Sequence, residues 1–206
     1  RPIELGADYS VQSITKLLNG HSDMVGGAVC VADETKLERL DWWANCAGVG
    51  AGAFDSYLAL RGLRTLPLRA KAQSEAAGEI ARWLEADPRI ARVDYPGLPS
   101  HAGHQLAARQ QDGFGQLISF ELAAGVARGL VTRLRLFTLA QSLGGVESLT
   151  CIPALMTHAS MSPEARKEAG VSDTLIRLSV GLEAAADLIG DLDAALSGTV
   201  ANVPAD

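Results

Sequence analysis

The chain has 206 residues, 48% of them hydrophobic and 20% charged, with a formal net charge of −6. Those proportions are globular, and a chain of this length buries roughly 70% of the surface it would expose unfolded. The acidic balance argues against nucleic acid, whose binders need a basic face, and no apolar run reaches the ~18 residues of a membrane span.

In chain order, Ala7 to Gln12 is predicted as a short strand running into Ser13-Ile14-Thr15-Lys16. Ala28 to Ala32, between Gly26-Gly27 and Asp33, reads as a buried strand. Thr35 to Trp43 has helical spacing, with Leu37, Leu40 and Trp43 on one side, and the Trp42-Trp43 pair is expected in core or interface packing. From Phe54 to about Trp83 the spacing predicts one long helix, or two broken near Pro67, ended by Asp87-Pro88-Arg89. A tighter rhythm follows: strand at Val93 to Tyr95, helix at Gly103 to Gln110, strand at Gln116 to Leu122, helix at Val126 to Leu134. Thr138 to Leu143 is a further strand, Pro163 to Ala169 a short helix and Leu175 to Val180 a strand, before an amphipathic helix from Ala184 to Leu196. The alternation implies α/β or α+β layering, with a boundary near residue 70. Only Ala201 to Asp206 reads as disordered.

Cys30, Cys46 and Cys151 are odd in number and have no CxxC spacing, so neither a disulfide framework nor a metal site is expected. Arg1-Pro2-Ile3-Glu4 has no apolar leader, and a reduced, cytoplasmic, soluble protein is the expectation. The stretch Gly6 to Val11 opens as though in mid-domain without an initiator Met, which leads us to expect a missing upstream portion.

Lysine is scarce, occurring only at 16, 36, 71 and 167 among eighteen cations. Lys36, Lys71 and Lys167 sit in charged helical surroundings and read as solvated. Lys16 instead follows a strand, between hydroxyls at Ser13 and Thr15 and the turn Asn19-Gly20-His21-Ser22-Asp23. An amine that forms a Schiff base at neutral pH must be partly desolvated or near other cations, and flanking hydroxyls could hold a phosphate. The residues alone leave both a reactive amine and an ordinary lysine open.

The segment Ser13-Ile14-Thr15-Lys16-Leu17-Leu18-Asn19-Gly20-His21-Ser22-Asp23 resembles the cofactor-attachment motif of the Cys/Met-metabolism pyridoxal-phosphate enzymes. Three further stretches are similar to that family: Gly52 to Leu66, whose Gly-Ala-Phe-Asp-Ser-Tyr form is particularly similar to the bacterial cystathionine gamma-synthases, Leu136 to Leu149, and Leu175 to Glu183. The resemblance implies an α/β fold of pyridoxal-phosphate fold type I, like aspartate aminotransferase. Residues 1–70 would end the large cofactor-binding domain and 71–206 would form the C-terminal small domain. It also implies that Lys16 binds pyridoxal 5'-phosphate covalently while Ser13 and Thr15 touch its phosphate. Leu17 stands where the family usually has an aromatic residue.

Arg177, between Ile176 and Leu178 on a predicted strand, points to the opposite face from its neighbours. A planar guanidinium grips a carboxylate with two bonds, and a surface salt bridge is the alternative that the pattern leaves open. The resemblance makes Arg177 the residue that binds the substrate α-carboxylate and Ser142 a substrate-side turn residue. Gln141 departs from the family's usual Glu, keeping shape but losing the charge that would grip a second substrate's amino group. His101-x-x-His104 lies on a Pro/Gly-rich turn and reads as solvent-exposed.

The activity implied is γ-replacement on an O-acylhomoserine by cysteine, giving cystathionine in methionine biosynthesis. Cystathionine or methionine gamma-lyase and homoserine-ester sulfhydrylase are the alternatives on the same scaffold. A homotetramer is implied, as is an N-terminal half of the same enzyme as partner, without which the chain would be an inactive fragment.

Overall fold

The computed structural model describes residues 1–124 and 127–200, in two compact units, residues 1–66 and 67–206. The predicted disorder of Ala201 to Asp206 lies outside the described residues.

In the first unit β1 (Ser10–Ser13) pairs antiparallel with β2 (Gly27–Cys30), Ser10 opposite Cys30 and Ser13 opposite Gly27. Helix α1 (Glu34–Ala47) starts where the Asp33 carboxylate accepts the N–H groups of Thr35 and Lys36 at 2.8 and 3.2 Å, which satisfies two otherwise orphaned donors. It ends at Gly48, whose φ of 66° is a left-handed stop. Helix α2 (Ala53–Leu63) follows.

One expectation fails in this unit. The β2 strand is not buried: Val29 is 46% exposed, and Val11 on β1 is 75% exposed. A two-stranded ribbon has two faces, and no described element seals either one. Of the two placements expected for Trp42 and Trp43, the core is excluded: both are more than half exposed, and their rings meet edge to face with centroids 4.8 Å apart. Helical spacing marks an apolar face but cannot say what covers it.

In the second unit α3 (Leu66–Ala86), which starts at the unit boundary, leads into a five-stranded sheet of order β3-β4-β7-β6-β5. The strands are β3 (Ile90–Asp94), β4 (Leu117–Leu122), β5 (Thr138–Leu139), β6 (Leu149–Cys151) and β7 (Leu175–Ser179). Only β5 and β6 run parallel. The helices α4 (His104–Gln110), α5 (Ala127–Val131), α6 (Pro163–Glu168) and α7 (Ala185–Val200) complete it. Ala77, Ile80, Ala81 and Leu84 of α3 and Leu188, Leu192 and Leu196 of α7 recur at helical intervals and share one core with Ile118, Phe120, Ile176 and Leu178 of the sheet. Each large side chain fully buried there contributes about 1.5–3 kcal/mol.

The long helical stretch is two helices. The break falls at Arg64-Thr65, and Pro67 sits inside the first turn of α3, where its missing N–H costs no bond. Helix α5 is shorter than its expected span, of which Val126 lies outside the described residues. The Asp191 carboxylate accepts the N–H groups of Arg135 and Leu136, which ties the bend beyond α5 to α7. The strand expected over Thr138 to Leu143 stops after two residues, because the carbonyls of Gln141 and Ser142 face an arginine instead of a neighbouring strand. The three-residue β6 is too short to show a period and was not anticipated.

Candidate functional site

The residues singled out by the sequence fall into two clusters, one in each unit. In the first, residues Ile14–Leu18 form a single wide turn, kinked at Lys16 (φ −96°, ψ −134°), directly after β1. The N–H groups of Ile14 and Thr15 both donate to the Gly26 carbonyl, at 2.9 and 3.3 Å. Gly26 N–H in turn donates to Thr15 Oγ1 at 3.0 Å, and that hydroxyl donates back to the Gly26 carbonyl at 3.2 Å. Downstream, the Asn19 and Gly20 N–H groups close the turn on the carbonyls of Ile14 and Lys16. Buried Asn19 donates through Nδ2 to Asp23 at 2.7 Å. From α2, Gly62 approaches so closely that a Cβ there would lie 2.4 Å from the Asn19 carbonyl oxygen. Only glycine permits that approach. Lys16 is thus half-buried on a turn locked from both sides.

In the second cluster Arg177 occupies β7, the middle strand, opposite Ser119 of β4 and Cys151 of β6. Ile176 and Leu178 point into the core and Arg177 points away from it, as strand alternation requires. Its Nη2 donates to the carbonyls of Gln141 and Ser142 at 3.4 and 3.3 Å. Among the described residues no carboxylate lies within ion-pair reach of Arg177, so the salt-bridge alternative has no partner. Burial pushes the neighbouring Cys151 thiol above its usual pKa, with Arg177 acting in the opposite sense.

The other candidates have structural partners. Lys36 pairs with Asp8 and Lys71 with Glu75. His101 Nδ1 accepts the Gly103 N–H and His104 Nδ1 meets the Pro96 carbonyl.

Residues 1–197 match the family model described as Cys/Met metabolism PLP-dependent enzyme. The chain belongs to that family. Its cofactor is pyridoxal 5'-phosphate. The chain is 52% identical to the cystathionine gamma-synthase of Escherichia coli K12 over 93% of its own length and 50% of that protein's. It is 48% identical to the cystathionine gamma-lyase of Mus musculus over 95% of its length and 50% of that protein's. The fold overlays cystathionine gamma synthase of Xanthomonas oryzae pv. oryzae, in complex with aminoacrylate and cysteine, with a TM-score of 0.94 at 52% identity. That overlay covers 98% of this chain and 53% of the other. The fold is therefore that of the type I pyridoxal-phosphate enzymes, and the chain spans about half the length of the relatives it matches.

The Lys16 turn fits the cofactor chemically. Ser13 is exposed, and its hydroxyl caps none of the turn's N–H groups. The Gly26 carbonyl already receives two backbone N–H groups, so the Thr15 hydroxyl can turn its proton to a phosphate while still accepting from Gly26. Two hydroxyls flanking a half-buried amine on a fixed turn are the donors that a phosphate-bearing aldehyde needs.

Sequence reasoning missed the supports of both clusters. Gly62 and Asn19 left no one-dimensional signal, because their contact depends on how α2 meets the turn. Gln73 and Ser148, both fully buried, did leave one. Gln73 stands at the core-facing helical spacing of Ala77 and Ile80, where a polar residue requires buried partners.

Proposed function

We propose that this chain is the carboxyl-terminal half of an enzyme that replaces the acyloxy group of an O-acylhomoserine with the thiol of cysteine. The products are cystathionine and the free acid. Residues 1–70 end its cofactor-binding domain and residues 71–206 are its small domain. The observation that carries this reading is Arg177: a guanidinium on a core strand, steadied by two carbonyls and with no acidic partner among the described residues. Such a group is prepared for the carboxylate of an amino-acid substrate.

Pyridoxal phosphate, when bound, supplies the electron sink for the bond-breaking at Cα. Lys16 would hold it covalently, and the freed Nζ would carry protons between the substrate's Cα and Cβ. Ser13 and Thr15 hold the phosphate, Arg177 anchors the α-carboxylate and Ser142 lines the substrate side of the turn. We further infer that the working protein includes an N-terminal half and assembles as a homotetramer in the cytoplasm. The choice of γ-replacement rests on the similarity to the two gamma-synthases.

Similarity to the mouse gamma-lyase supports γ-elimination as a second reading. The full-length enzyme, supplied with an O-acylhomoserine and cysteine, should form cystathionine faster than 2-oxobutanoate. A thiol held in near-attack geometry would react faster than the elimination product could leave. Dominant 2-oxobutanoate at saturating cysteine would transfer the assignment to the lyases.

A further inference from the structure

After β5 the segment Gln141 to Ser148 has no regular structure, yet it is tied along its length to β7 and the residues that follow. Gly144 N–H donates to Ser179 Oγ at 2.9 Å. Gln73 Nε2 donates to the Gly145 and Val180 carbonyls at 2.7 and 3.0 Å. Leu182 N–H donates to the Val146 carbonyl at 2.8 Å. Ser148 gives both its protons to one carboxylate, its N–H to Glu183 Oε1 at 2.8 Å and its hydroxyl to Glu183 Oε2 at 2.7 Å. The same hydroxyl accepts the Gly181 N–H at 2.8 Å. The two strands of this junction are so close that a Cβ on Gly181 would lie 2.3 Å from the Val146 carbonyl oxygen.

Ser148 is fully buried, so these bonds are made away from water. A buried donor without a partner costs about 1–3 kcal/mol, and Glu183 satisfies two. The segment's first residues, Gln141 and Ser142, supply the carbonyls that meet Arg177. At 3.3 and 3.4 Å those bonds are already long, and a small shift of the segment would break them.

We propose that Glu183 is a positioning residue for carboxylate binding: through Ser148 it pins the segment Gln141 to Ser148, and the pinned carbonyls aim the Arg177 guanidinium. This rests on the reading of Arg177 as the carboxylate anchor. A bidentate grip is directional, so an arginine that is present but loosely aimed keeps its charge and loses the two-bond fit.

The test uses the full-length holoenzyme and two probes that differ by one carboxylate, L-alanine and ethylamine. Calorimetric titration gives the ratio of their Kd values, which isolates the anchor, since general loosening of the fold weakens both probes alike. Arg177→Ala should abolish the preference for alanine. Glu183→Ala should reduce it about tenfold, a loss expected of misplaced rather than missing groups. Glu183→Gln should recover much of it, because the amide oxygen still accepts the Ser148 N–H. An unchanged ratio in Glu183→Ala, with the preference lost in Arg177→Ala, overturns the proposal and leaves the anchor reading intact. A ratio near one in the native protein, or unchanged in Arg177→Ala, sinks the anchor reading and the proposal with it. Should Glu183→Ala fail to fold, Ser148→Ala carries the same comparison; a lowered ratio supports the pinning and a native ratio refutes it.

Discussion

The two units treat their apolar residues in opposite ways. In residues 67–206, helices α3 and α7 and the five-stranded sheet bury Tyr95, Phe120, Ile176, Leu178 and their neighbours almost completely. In residues 1–66 only Met24 and Ala59 are buried apolar side chains among the described residues, while Val11, Val25, Trp42, Trp43, Phe54 and Tyr57 face outward. Yet the proposed cofactor lysine is in the first unit and the proposed carboxylate anchor in the second. One group stands on a turn locked by local hydrogen bonds, the other on a strand locked by a core. Fixing a side chain for chemistry does not require a core beneath it.

The sharpest way to break this comparison is side-chain truncation in the 206-residue chain, followed by denaturant unfolding. Phe120→Ala should cost about 3–5 kcal/mol, the usual loss for a buried aromatic. Leu37→Ala on exposed α1 should stay within about 0.5 kcal/mol. Equal costs would mean that the first unit has a core of its own.

Next in size is the anchor. If Arg177 is the carboxylate anchor, Arg177→Ala in the full-length protein leaves the substrate carboxylate unpaired, a loss of roughly 2–5 kcal/mol. At about 1.4 kcal/mol per tenfold, kcat/KM should fall between about 30-fold and several thousand-fold. Arg177→Lys should rescue only part, since a point charge lacks the fork. A near-native kcat/KM in the alanine variant would return Arg177 to an ordinary strand residue.

Gly62→Ala probes the local lock in the first unit. Its Cβ would collide with the Asn19 backbone, and overpacking of this kind costs about 1–3 kcal/mol. Thermal unfolding of the first unit should shift down accordingly; an unaltered transition would show that α2 does not brace the Lys16 turn.

The smallest effect is in thiol chemistry. Cys30 and Cys46 are exposed, whereas Cys151 is buried with its pKa raised. A raised pKa means less thiolate at a given pH, so at pH 8 iodoacetamide should label two thiols quickly and the third at least ~10-fold more slowly. Three equal rates would contradict the closed face around β6.

Much of the second unit was legible in the sequence because its alternations are complete within it: the period of Leu175 to Val180 and the helical stripe of Ala184 to Leu196 both found their covers. The same rules misplaced Val29, since periodicity identifies an apolar face and the covering surface is not among residues 1–66. At the candidate site, Lys16 and Arg177 are proposed through motif resemblance, with pattern alone leaving each ambiguous. Their supports were harder to see. The Gly62–Asn19 approach and the Glu183–Ser148 pair join residues 43 and 35 positions apart, a separation that no local period encodes.

The central claim is that Lys16 is the cofactor lysine of this chain. Reducing the full-length protein with borohydride and mapping the pyridoxyl group by peptide mass spectrometry tests it directly. The expected result is a single modified peptide with the group on Lys16 and no turnover in Lys16→Ala. A pyridoxyl group on Lys36, Lys71 or Lys167, with Lys16 unmodified, would contradict it.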